Sequence, residues 1–239
     1  MPGAVVRASR LRLRESVILP LHSQTMPLPL VIGYHLVWTG YGWWLPNDPR
    51  GSMSHVLRCD LLAELGKLHY GRKKVQPASR IIRDFFKNSE ALLRFPVLTF
   101  TDRDIRCIAN AFEEEIAGQR YTCYACAMMP DHVHILIRKH KHPAEEMIRN
   151  LQRASHLALR REGLVDLEHP VWGGPGWKVF LDCPEDVWRT VKYIQDNPIN
   201  ARLPAQSWSF VKEYDDWPLH PGHDPNSPYA RRLRSGREG

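Results

Sequence analysis

The chain has 239 residues, 43% of them hydrophobic, enough to bury one sizeable core with decorations rather than two full domains. Its 33 lysines and arginines against 26 acidic residues give a formal charge of +7, a field that favours polyanions, nucleic acid first and acidic membrane surfaces second. Five cysteines (Cys59, Cys107, Cys123, Cys126 and Cys183), with no secretory leader in view, argue against a disulfide framework and for a reducing cytosol, and no apolar run approaches a membrane span.

Residues 1–29 read as a disordered head. Arg7, Arg10, Arg12 and Arg14 against Glu15 give it a transit-peptide flavour, and Met26 is a second candidate start. Residues 31–42 are β-branched and aromatic and predict a first strand. A turn-rich loop at 45–51 opens an insertion over about 46–100, basic in part and carrying Gly71-Arg72-Lys73-Lys74. Over 102–118 the apolar positions Ile105, Ile108, Ala109, Phe112 and Ile116 have helical spacing, with Thr101 or Asp102 as N-cap. Strands follow at 121–128 and 132–138, joined by Met129-Pro130-Asp131. A long helix spans 143–162, with Pro143 in its first turn. Its apolar face is Met147, Ile148, Leu151, Ala154 and Ala158, and its other face carries Arg149, Arg153, Arg160 and Arg161. A fourth strand fits 177–181. A last helix over 184–197 should stop at Asn197-Pro198, because the residue before proline is pushed out of helical geometry. Residues 206–239 form a basic-ended C-terminal tail that composition alone would leave solvated.

The order β-α-β-β-α-β-α predicts an α+β fold: a ferredoxin-like four-stranded antiparallel sheet with helices on one face, plus insertion and tail. The other sheet face is then free to hold chemistry.

The stretch Met129-Pro130-Asp131-His132-Val133-His134 carries the strongest chemical signal. Residues two apart on a strand share a face, so His132 and His134 project together while Val133 and Ile135 face the other way. Two imidazoles on a rigid strand are half of a metal site; they are also ordinary polar residues of a solvated sheet face. On the last helix Tyr193 and Asn197 are four apart and share a helix face. The phenol oxygen is a candidate nucleophile. The Asn197 carboxamide oxygen is a candidate third ligand, giving a site that suits Mg²⁺ or Mn²⁺. Each alone reads more plainly, Tyr193 as a packed tyrosine and Asn197 as a helix-end residue.

Four blocks together carry a resemblance: Tyr34-His35-Leu36-Val37-Trp38-Thr39; the His132-Val133-His134 strand; Val171-Trp172-Gly173-Gly174 with Trp177; and Tyr193 to Asn197-Pro198 followed by Ala201-Arg202-Leu203. They span about residues 30–205 and resemble, in order, the single-tyrosine HUH transposases, most of all the REP-associated tyrosine transposases. The resemblance implies a catalytic domain over 30–205 that cleaves and joins single-stranded DNA. Tyr193 would form a 5′-phosphotyrosine link, and a divalent ion on His132, His134 and Asn197 would polarise the scissile phosphate. It also implies hairpin-containing DNA as the partner, cytoplasmic and nucleoid-associated, with the protein a homodimer or a monomer. Arg149, Arg153 and Arg160 are the candidate phosphate contacts. The long 46–100 connection and the head depart from the family pattern.

Two other functions fit the composition. One is a hairpin nucleic-acid-binding module without nicking activity. The other is a His-ligated metallohydrolase that draws on His140 and His142, although solvent exposure is the simpler reading of that pair. Cys123 and Cys126 form a C-x-x-C, but on a regular strand they would point to opposite faces, so buried cysteines are the better reading than zinc.

Overall fold

The computed structural model describes residues 30–45, 47–51 and 73–235. The head with Met26, residues 52–72 of the insertion including Cys59, and Arg237 lie outside the described residues. The described chain runs β1 (Gly33–Thr39), α1 (Ser79–Glu90), α2 (Asp102–Gln119), β2 (Cys123–Met128), β3 (His132–Arg138), α3 (Ala144–Arg161), β4 (Trp177–Leu181), α4 (Pro184–Asn200) and α5 (Pro228–Ser235).

The four strands form one antiparallel sheet in the order β2-β3-β1-β4. The expected α+β sheet is therefore observed, with α2 and α3 on one face. Tyr34, Leu36 and Trp38 of β1 and Val133, Ile135 and Ile137 of β3 point into this layer. There they meet Ile108 and Phe112 of α2 and Met147, Ile148 and Leu151 of α3. The opposite face is not left bare. Val187, Val191 and Ile194 of α4 pack there on Ala125, Ala127, Leu136 and Leu181.

Local chemistry explains the boundaries. The Thr101 hydroxyl accepts from the Asp104 N–H, and the Asp104 carboxylate accepts from the Thr101 N–H at 2.7 Å, a capping box that starts α2. Arg120, left-handed at φ 59, closes it. Glu145 and Glu146 in the first turn of α3 and Arg160 and Arg161 in its last complement the helix dipole. β1 is shorter than the hydrophobic run because Gly40 leaves the ladder for a lone bridge to Trp172. Gly173 closes that bridge, and a Cβ there would sit 2.8 Å from the Gly40 carbonyl oxygen.

Three expectations need correction. α4 does not stop at Asn197-Pro198; it continues to Asn200 with Pro198 inside it. The Asn197 side chain donates to the Tyr193 carbonyl at 2.8 Å, and Ala201 and Leu203 donate back to carbonyls of residues 197 and 198. These bonds hold the last turn despite the missing proline N–H. Cys123 and Cys126 do not point to opposite faces: a register shift between Cys123 and Ala125 turns both into the α2–α3 core. Both are buried and unbridged, so their reading as core cysteines holds. The described part of the tail is not a solvated end. Gln206 exchanges two hydrogen bonds with the Met128 backbone, Val211 bridges Cys123, and Phe210 and Tyr214 are buried.

Ile135 is fully buried at the sheet centre, whereas Leu157 lies exposed on α3. Ile135→Ala should cost about 2–5 kcal/mol through transfer and cavity terms. Leu157→Ala should stay within about 0.5 kcal/mol. Urea unfolding of the two variants beside the parent checks both.

Candidate active site

The register of β1 against β3 builds the site. Val37 pairs with His134, His35 with Leu136 and Thr39 with His132, so His35, His132 and His134 share the sheet face that α4 covers. The His132 and His134 ring centroids are 4.8 Å apart. Helix α4 buries Val187, Val191, Ile194 and Pro198 at helical spacing, which carries Tyr193 to the rim of the same site. Its ring lies 5.5 Å from that of His134 and 5.9 Å from that of His35, edge-on to both. Tyr193 remains 51% exposed, so its face is open to a large substrate.

Each strand histidine has its Nδ1 engaged. His134 Nδ1 bonds His35 Nε2 at 2.9 Å, and His132 Nδ1 bonds the Asp131 carboxylate at 2.6 Å. Among the described residues neither Nε2 has a hydrogen-bond partner, so both are the nitrogens left for a ligand. A metal-binding imidazole is typically oriented in this way through its other nitrogen. The donor set therefore fits a divalent ion. His132 and His134 would hold it through Nε2, with open positions for oxygen ligands. Asn197 lies one turn beyond Tyr193 with its amide nitrogen on the helix backbone, which leaves its carboxamide oxygen as the free group. Helix geometry puts it on the Tyr193 side of α4.

Burial sets the electrostatics. His134 is lowered to about 2 by desolvation first and by the neighbouring His132 and His35 second. His35 is lowered to about 4 by desolvation. Both rings are thus neutral at physiological pH, the state in which imidazole binds metal. Burial alone would raise the Asp131 carboxyl, but its hydrogen bond to His132 and the His132 and Arg50 charges outweigh that and hold it below the usual range.

The sequence reading gave no role to three of these residues. Asp131 orients His132, and its position beside the motif was the available signal. His35 stood in a quoted block, but only the β1–β3 register places it against His134. Arg50 comes from the loop after β1. It is fixed on the buried Asp48 by two bonds of 2.9 and 2.7 Å, with its guanidinium 3.8 Å over the Trp44 ring.

The remaining candidates lie elsewhere. Arg149 and Arg153 are exposed on α3, behind the sheet, and Arg160 is half-buried there. They share a stripe with Glu145, which pairs with Lys178 of β4, and Gln152, which donates to the Gly174 carbonyl at 2.8 Å. The arginine stripe therefore flanks the edge strand β4. His140 and His142 are not simply solvated: the Tyr121 hydroxyl bonds His142 Nδ1 at 2.9 Å, and the His140 ring packs 4.9 Å from Tyr121. Among the described residues a separate group, Asp182, Cys183 and Asp186, has ligand atoms within 4.8 Å of one another at the start of α4. Asp186 is paired with Arg189. No described helix is long and apolar enough to cross a membrane.

No protein-family model matches this chain, and no curated protein matches it. Among solved structures it is similar to a REP-associated tyrosine transposase bound to a REP hairpin, at 12% identity and a TM-score of 0.39, over 82% of this chain and 80% of that one. It is also similar to a transposase-like protein from Deinococcus radiodurans, at 12% identity and a TM-score of 0.32, over 74% of this chain and 94% of that one.

The lowered histidines give the fold a pH dependence of definite sign. Unfolded rings titrate near 6.5, so below that pH the unfolded chain takes up protons that the folded chain refuses. The stability from neutral His35 and His134 is complete above pH 6.5. It is lost as the pH falls, down to about 4 for His35 and about 2 for His134. Each ring can contribute at most about 1.4 kcal/mol per pH unit. Urea midpoints measured in chelator should drop between pH 7.5 and 4.5, and drop less in His35→Gln.

Proposed function

We propose that this chain is a metal-dependent DNA nicking and joining enzyme that acts on hairpin-containing single-stranded DNA with Tyr193 as nucleophile. The observation that carries the reading is the half-exposed Tyr193 phenol standing edge-on to the neutral His134–His35 pair, beside His132.

In this reading the residues take the following roles. The Tyr193 Oη attacks phosphorus as its phenol proton passes to solvent, the P–O3′ bond breaks, and the departing 3′-oxygen takes up a proton from solvent as a 3′-hydroxyl. The 5′-phosphate stays on the tyrosine, so rejoining needs no nucleotide triphosphate: an incoming 3′-hydroxyl attacks the same phosphorus and releases the phenol. Bound at His132, His134 and Asn197, a Mg²⁺ or Mn²⁺ ion would supply Lewis-acid stabilisation of phosphate charge. Asp131 accepts from His132 Nδ1, which leaves the His132 Nε2 lone pair for the ion; His134 takes the same tautomer when its Nδ1–H donates to His35 Nε2, and Arg50 adds positive charge beside Asp131. The DNA path crosses the exposed edge strand β4, where Trp177 is 42% exposed on the histidine face, toward Arg149, Arg153 and Arg160 on α3.

With Mn²⁺ and a labelled hairpin carrying a single-stranded flank, Tyr193→Phe should abolish the covalent adduct on a denaturing gel and leave hairpin affinity within about twofold. His132→Ala and His134→Ala should each lose the adduct and weaken Mn²⁺ binding, while Cys126→Ser keeps the metal. An undiminished adduct in the Phe variant removes Tyr193 from the chemistry. No adduct from the parent chain, with hairpin affinity intact, would leave a binding module.

Arg149→Ala with Arg153→Ala should weaken matched and scrambled hairpins alike, because phosphate contacts carry no sequence information. Each lost contact should reduce the log–log salt slope by roughly one. Affinity over a salt series reads it directly.

A further inference from the structure

At the far end of β3 from His132 the structure has an open cleft of about 500 Å³, lined by Arg138, Lys139, His140, Lys141, Trp217 and Tyr229. No acidic residue lines it. The Arg138 guanidinium lies 5.1 Å over the Trp217 ring, and Trp217 and Tyr229 meet at 5.1 Å between centroids. Lys139 is engaged, donating to the Tyr34 hydroxyl, whereas Lys141 is exposed with no described partner. Among the surrounding carboxylates, Glu146 acts on His140 and stands 3.7 Å from His142, Asp215 bonds His223 at 3.0 Å, and Asp216 accepts from the Trp188 indole N–H at 2.6 Å. Helix α5, which supplies Tyr229, also carries Arg231, Arg232 and Arg234 and no acid.

Cations together with a half-open aromatic pair are the chemistry of single-strand binding: phosphates meet the charges and an unpaired base stacks on a ring. We propose that this cleft is a second nucleic-acid site that holds an unpaired nucleotide of a single strand, with its base against Tyr229 and Trp217 and its flanking phosphates at Arg138 and Lys141. A duplex would meet the charges but offer no free base face. Arg138 and His132 share one sheet face, six residues apart on β3, about 20 Å. The cleft is therefore separate from the catalytic centre but on its side of the sheet, and can hold the strand in line with it.

The test uses the full chain in EDTA, so that no covalent step enters and its outcome is independent of Tyr193. Fluorescence anisotropy compares a labelled 20-mer of thymidine with a 20-mer phosphodiester strand without bases. Tyr229→Ala should weaken the thymidine strand about tenfold and leave the baseless strand unchanged, while Tyr229→Phe retains binding. Lys141→Ala, at an exposed position outside any element, should weaken both strands and reduce the salt slope by about one. Unchanged binding of both strands by Lys141→Ala, or equal loss of both by Tyr229→Ala, overturns the proposal. So does a polyglutamate peptide that competes as well as the thymidine strand.

Discussion

The pairing register of β1 with β3 is the constraint on which the rest depends. It sets Val37 opposite His134 and Thr39 opposite His132, and so decides that three imidazoles share one face. Strand side chains alternate with a period of two, so a slip of one residue would drive His132 and His134 into the α2–α3 core and expose Ile135. The burial of Leu36, Trp38, Val133, Ile135 and Ile137 forbids that slip. The hydrophobic layer on one side of the sheet is what aims the polar groups on the other.

The site is then completed by an element whose stability comes from elsewhere. Helix α4 docks through Val187, Val191 and Ile194 on the small side chains Ala125 and Ala127. Alanines there leave room for the helix to lie close to the sheet, and Tyr193 travels with it into contact with His134. The nucleophile candidate is thus fixed by apolar packing around it rather than by bonds of its own. A large substrate has access to it because the side chain stays half in solvent.

Desolvation and hydrogen bonding act together on the imidazoles. Burial removes the proton from His134 and His35, and their mutual bond needs one nitrogen to donate and the other to accept, which fixes complementary tautomers. The consequence is a neutral, oriented pair whose remaining nitrogen is free. Asp131 achieves the same orientation for His132 with a charge in place of a second ring. One route to that geometry is neutral and the other ionic: the Asp131 side carries the charges of Asp131, Asp48 and Arg50, and the side toward Tyr193 is the neutral imidazole pair.

Much was legible in the sequence. Period-two and helical spacing gave β3, β4, α2 and α3 almost to the residue, because capping and alternation are local properties of the chain. The same alternation paired His132 with His134, and four-residue spacing paired Tyr193 with Asn197. The rest needed three dimensions. The bulge that turns Cys123 and Cys126 to one side depends on how β2 meets β3. The last turn past Pro198 depends on bonds that form only when the chain folds back. His35 lies ninety-nine residues from His134, a separation at which no local pattern operates, and only strand pairing brings His35 Nε2 within 2.9 Å of His134 Nδ1. The tail looked solvated by composition, yet Tyr214 is buried on the sheet face that α4 covers, and Trp217 and Tyr229 pack partly buried against the same cluster. The sequence by itself determined which faces are apolar and which residues travel together along an element. The tertiary structure decided which of those faces meet, because contacts distant along the chain are chosen by shape and burial rather than by spacing.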